Sequence, residues 1–70
     1  MYSFNYVENR DSNDTAEVRT SEATRLESLI ASAKSQFVMV QKYHPRVIGF
    51  YITDEMGKEV ARWYKGDEAP

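Results

Sequence analysis

The residues able to carry chemistry are few and scattered. His44 is the single histidine of the 70-residue chain, so a metal pair or proton relay built on two imidazoles is out of reach. It stands beside Pro45 in a His44-Pro45-Arg46 turn, where a solvated ring is the ordinary outcome. Asp11, Asn13, Thr15 and Glu22 fall at relative positions 1, 3, 5 and 12 of a calcium loop. Position 6, however, is Ala16 where the sharp turn needs glycine, and a strand pattern precedes the loop where a helix is required. A polar turn is expected there instead. Asp54 and Glu55 are neighbours in a turn, which splays two carboxylates rather than converging them on a substrate. Gly49, Gly57 and Gly66 lie in three different elements and build no phosphate loop. With no cysteine there is neither a thiolate nor a disulfide or Cys-based zinc site. The expectation is a protein without catalytic residues, metal or cofactor.

What the sequence does offer is rings interleaved with cations. Lys42, Tyr43, His44 and Arg46 cluster in one segment, and Arg62, Trp63, Tyr64 and Lys65 in another. Tyr, Trp and Arg are the types enriched in protein interfaces. The same mixture on an open sheet would stack the bases of a single strand of nucleic acid. Charge separates the two readings. The formal net charge is −2, whereas domains that bind phosphate backbones are usually strongly basic. Within that total, residues 1–33 set Glu8, Asp11, Asp14, Glu17, Glu22 and Glu27 against Arg10, Arg19 and Arg25. Residues 34–65 set Lys34, Lys42, Arg46, Lys58, Arg62 and Lys65 against Asp54, Glu55 and Glu59. An acidic half thus precedes a basic half.

These groups must be held by very few elements. Seventy residues suffice for one domain, expected over 1–65 with an acidic tail frayed over 66–70. Such a domain buries only about 60% of the surface its unfolded chain exposes. Tyr2 to Val7 and Thr15 to Arg19 read as a loose hairpin about the turn formers Asn9 to Asp14. Thr20 or Ser21 would cap a helix over about 21–35, with Glu22 in its first turn and Ala23, Leu26, Leu29, Ile30 and Ala33 as its apolar stripe. From Phe37 the β-branched and aromatic residues predict a strand to Tyr43, ended by Pro45. Val47 to Thr53 and Lys58 to Tyr64 predict two more strands about an Asp54-to-Gly57 turn. The expected class is α+β: an antiparallel sheet of order β-β-α-β-β-β with one helix packed on one face. The longest apolar runs fall far short of the roughly 20 residues that span a bilayer, and Met1 to Tyr6 has no signal-peptide character. A cytoplasmic protein without a membrane contact is expected.

One helix covers one side of a sheet, so the other side meets water or a partner. Ile48, Phe50 and Ile52 point one way along their strand, toward Leu26 and Ile30; Tyr51 points the other. For the segments 37–43 and 58–64 either face could be the buried one. The helix side opposite its stripe carries Thr24, Ser28, Ala31, Ser32 and Ser35, all small and uncharged. A strand ending in Thr15-Ala16-Glu17-Val18-Arg19, a helix from Ser21 to Ser35 and a hairpin about Asp54 to Lys58 give an outline that resembles small phage-encoded inhibitors, the anti-CRISPR proteins among them. That resemblance covers most of the chain, is architectural, and transfers no site residue; it implies an inhibitor acting in the cytoplasm of a host cell. The expected function is a small non-catalytic protein-binding module that docks on a larger complex, one handling nucleic acid included, through its open sheet face. Tyr43, Tyr51, Arg62 and Tyr64 would make the contacts, with Lys42 and Arg46 steering. The alternatives are a single-strand nucleic-acid binder using the same face and a homodimer closed through it.

Overall fold

The computed structural model describes residues 1–11 and 14–66. Ser12 and Asn13, in the expected polar turn, and the acidic tail beyond Gly66 lie outside the described residues. The elements are β1 (Tyr2–Val7), β2 (Thr15–Ser21), α1 (Leu26–Tyr43), β3 (Gly49–Thr53) and β4 (Glu59–Tyr64). The four strands form one sheet of order β2-β1-β3-β4, antiparallel throughout. The class is α+β, with α1, the one helix among the described residues, on one face of the sheet.

One element differs from expectation. The segment Phe37 to Tyr43 is not a strand but the second half of α1, so the order is β-β-α-β-β. The reason lies in the helical period. Leu29, Ala33, Phe37 and Val40 recur at intervals of four, four and three and are the buried residues of α1, so the stripe runs unbroken through the β-branched stretch. Periodicity matched to a core outweighs intrinsic strand preference. The helix also begins later. Thr20 and Ser21 belong to β2, with Tyr2 opposite Ser21, and the Ser21 hydroxyl accepts from the Ala23 amide at 3.2 Å. Arg25 precedes the first turn without a side-chain cap; Glu27 sits in that turn and Lys42 in the last, both favourable to the helix dipole. Leu26, expected in the stripe, is exposed, and Ile30 is half-buried. The 18 residues of α1 span about 27 Å, the full width of a molecule measuring 28 × 27 × 21 Å.

The core lies between α1 and the face of the sheet bearing Phe4, Tyr6, Phe50 and Ile52. Phe37 meets Trp63 edge-on at 5.2 Å, and Phe50 lies 5.4 Å from Trp63 and 5.7 Å from Tyr6. The Tyr6 hydroxyl crosses the core to donate to the Ala33 carbonyl at 2.8 Å, which ties the central strand to the middle of the helix. Burial pushes its pKa well above the ordinary tyrosine value. Trp63 and Ala61 therefore face the helix, and Arg62 and Tyr64 face away. The expected turn between the last two strands is present: the Asp54 carboxylate accepts from the Met56 and Lys58 amides, both at 2.9 Å, and Gly57 takes φ 82°.

Candidate functional site

The face of the sheet turned away from α1 is built in transverse rows fixed by strand register. The middle row runs Val18, Asn5, Tyr51, Arg62 across β2, β1, β3 and β4. Beside it lies a row of Val7, Gly49 and Tyr64, and on the other side one of Thr20, Ser3, Thr53 and Glu59. Three of the six expected contact residues, Tyr51, Arg62 and Tyr64, thus come together. Lys42 and Tyr43 do not join them. Both lie in the last turn of α1, because the segment expected to be a strand is helical, and Arg46 follows in the turn between α1 and β3. These three are exposed on a separate part of the surface.

Glu59 reaches this face through a bulge. In a regular strand, residues three apart point to opposite sides. Between β3 and β4 the register shifts so that Ile52 faces Ala61 while Thr53 faces Glu59, which leaves Val60 as the extra residue. Val60 turns to the core and Glu59 turns to the side of Arg62. The two then form a forked pair, Arg62 Nη2 to Glu59 Oε1 at 2.6 Å and Nε to Oε2 at 3.0 Å. The hydrogen bond from Arg62 holds the Glu59 carboxyl below the usual glutamate range, and Glu59, with Tyr64 second, raises the Arg62 pKa further. Arg62 also donates to the Tyr64 hydroxyl, and its guanidinium lies 4.8 Å from the centre of the Tyr51 ring and 5.8 Å from that of Tyr64.

Tyr64 is the floor of this arrangement rather than its surface. Its cross-strand partner is Gly49, and a Cβ at Gly49 would stand 2.7 Å from Tyr64 Cδ1 and 2.3 Å from the Trp63 carbonyl oxygen. Only glycine lets the ring lie this close to β3. Arg10, from the segment leaving β1, stacks over the ring at 4.4 Å. With Gly49 next to it and Arg10 over it, Tyr64 is only 6% exposed. Asn5 braces the middle row, donating to the Tyr51 carbonyl and the Thr53 hydroxyl, both at 3.1 Å, and more weakly to the Ser3 carbonyl at 3.3 Å. Of the middle row a partner can reach Val18, which is exposed, and Tyr51 and Arg62, which are half-buried; Thr20 and Glu59 in the neighbouring row are exposed as well.

The remaining polar groups sit elsewhere. The Glu17 carboxylate pairs with Arg19 and lies 3.5 Å from His44 Nε2, on the helix side of β2. The terminal amine of Met1 binds Glu55 and lowers the pKa of that carboxyl; both border a shallow hollow with Tyr2, Asp54 and Met56. Thr15 and Glu22, two members of the calcium-like spacing, stand at opposite ends of β2, about 23 Å apart along an extended chain. Among the described residues no three side chains of His, Asp or Glu come together as metal ligands, and no helix is long and apolar enough to cross a membrane.

Glu59, Arg10, Asn5 and Gly49 were not singled out from sequence. The bulge that delivers Glu59 has no local signature in Lys58-Glu59-Val60-Ala61. Gly49 within Val47 to Thr53 did carry a signal, since an isolated strand glycine marks a close approach. The comparisons do not extend this picture: no protein-family model, curated protein or solved structure matches the chain.

Proposed function

We propose that the chain is a small non-catalytic protein-binding module, an inhibitor or regulator that occupies a site on a larger protein assembly through the sheet face opposite α1. The observation that carries this reading is the braced row Val18, Asn5, Tyr51, Arg62. An aromatic and an arginine, the types that dominate binding hot spots, meet there: Glu59 and Tyr64 hold the Arg62 guanidinium, which lies 4.8 Å from the centre of the Tyr51 ring, while Asn5 holds the Tyr51 backbone carbonyl. Side chains fixed before binding lose little entropy on contact, which favours affinity. The face is an open sheet surface, a shape suited to a folded partner more than to a small molecule. Lys42 and Arg46, lying off the face, would act on approach rather than in contact.

Single-strand binding is the weaker reading, because the one arginine of the middle row is already neutralised by Glu59 and affinity for nucleic acid rests on uncompensated cations. The test is capture of partners by the immobilised chain, with identification by mass spectrometry, for the parent and for the double variant Tyr51→Ala, Arg62→Ala. One partner retained by the parent and lost by a folded variant supports the reading. Equal capture by both overturns the assignment of this face. Binding of an oligonucleotide at low salt, lost as salt rises, would favour the alternative.

A further inference from the structure

β2 ends the sheet, with β1 beside it, and among the described residues no strand pairs with its outer edge. In its sequence, Thr15-Ala16-Glu17-Val18-Arg19-Thr20-Ser21, Ala16 is the extra residue of a bulge against β1, and the regular stretch beyond it, Glu17-Val18-Arg19, is its own charge complement when reversed about Val18. We propose that two copies of the chain join β2 to β2, antiparallel about a twofold axis at Val18, so that two four-stranded sheets become one continuous sheet. This edge adjoins the face proposed above for partner binding and shares only Val18 with it.

Charge selects both the partner and the register. A twofold axis perpendicular to the sheet keeps both helices on one side, so residues opposite one another must point to the same face. Centred on Val18, the pairing sets Glu17 opposite the second copy's Arg19 and Arg19 opposite its Glu17. Centred on Glu17 or on Arg19, it would set like charges directly opposite, which is unfavourable. Glu17 and Arg19 lie across from Tyr6 and Phe4, on the helix side of the sheet, and are half-buried. They already pair within the strand, and joining two strands would place four charges in an alternating square. Inward-pointing charges on an edge strand ordinarily repel stray strands. Here they disfavour a strand with the same charge order and favour one with the inverse order, which a second copy supplies.

The helix adds an apolar contribution on the same side. Arg19 reaches Gln36 at 3.5 Å, and Gln36 reaches Ser32 at 3.2 Å, so the flank of α1 bearing Ser32 and Gln36 leans toward β2. Met39 and Tyr43 continue that flank at intervals of three and four residues and are 49% and 71% exposed. Across the proposed axis this row faces its own copy, above the four charges. Val18, 51% exposed on the other face of the sheet, meets Val18 of the second copy.

Sedimentation over a concentration series, with circular dichroism as the fold control, tests this. The parent should reach twice the 8.1 kDa chain mass. E17R and R19E, each with like charges opposed twice, should weaken self-association on the order of tenfold or more. An equimolar mixture of E17R and R19E should recover the dimer, because each supplies the charge the other lacks. Met39→Glu, a substitution on an exposed helix position, should also weaken it if the charge variants prove too unstable to use. A parent that stays at the chain mass up to about 1 mM overturns the proposal. So does a dimer whose strength is unchanged by M39E or by the charge variants, or folded charge variants whose mixture fails to associate.

Discussion

Replacing Tyr6 by phenylalanine removes one oxygen atom from the centre of the molecule and leaves the ring, its contact with Phe50 and the shape of the core intact. At neutral pH the loss is the hydrogen bond to the Ala33 carbonyl. That carbonyl keeps its helical donor four residues on, so the cost belongs near the middle of the usual range, about 1 kcal/mol. In a domain of this size that lowers the melting temperature by roughly 4–8 °C. The alkaline limb moves the opposite way. In the unfolded chain Tyr6 ionises near pH 10, whereas burial holds the folded hydroxyl neutral well above that. Above pH 10 the folded state therefore binds more protons than the unfolded one. The stabilisation is complete below the unfolded value and is lost as pH rises beyond it, by about 1.4 kcal/mol per pH unit. Phenylalanine has no proton to lose. The variant should be the less stable protein at neutral pH, match the parent near pH 11, where the loss of about 1.4 kcal/mol overtakes the hydrogen bond, and exceed it above. Urea midpoints of both proteins across this range measure the difference and cancel every titration they share. Parallel curves that never converge would refute the buried, hydrogen-bonded placement of Tyr6.

Gly49→Ala should destabilise by about 1–3 kcal/mol through overpacking, since the new methyl meets the Trp63 carbonyl at 2.3 Å; shrinking Tyr64 as well should not rescue it, because that carbonyl is backbone, and denaturant titration of both variants decides. Val38→Ala distinguishes helix from strand directly: Val38 is 62% exposed on α1, so the substitution should be neutral or stabilise by up to about 0.7 kcal/mol, whereas a clear loss would speak for a strand. The Glu59 carboxyl should titrate below an ordinary glutamate in an NMR pH series and return to the ordinary range in Arg62→Gln. Its stabilisation is present above the unfolded carboxylate pKa and is lost as pH falls through the depressed folded value, and because the pair is solvent-accessible it should amount to about 0–1 kcal/mol.

The class, the first hairpin, the last hairpin and the turn about Gly57 were all legible in the sequence, because each is encoded locally by alternation and by turn formers. Phe37 to Tyr43 was not, because Phe37-Val38-Met39-Val40 satisfies two periods at once. Four consecutive apolar residues offer a sheet both faces and a helix a continuous stripe, and only the distant partners Phe50 and Trp63 decide between them. The same cause split the candidate site. Tyr51, Arg62 and Tyr64 share a face because their strands alternate regularly up to the bulge. Tyr43 and Lys42 were assigned to that sheet only through the strand that became helix. Glu59 was missed because a one-residue shift of register reverses which side a residue faces, and nothing near Val60 announces the shift.

The position of β1 bears on how the chain assembles. It precedes the other described elements along the chain and is an inner strand of the sheet, paired on one edge with β2 and on the other with β3, whose Tyr51 carbonyl lies 46 residues from the Asn5 that binds it. The β1–β2 hairpin can form within microseconds of its synthesis, but Phe4 and Tyr6 then stay uncovered until α1 and β3 arrive, and closing so long a loop precedes any reward from the core. A nascent chain of this protein therefore displays β1 early and buries it late. Any factor that shields newly made polypeptide would find Phe4 and Tyr6 waiting, and hydrogen exchange in the finished protein should be slowest along the same strand.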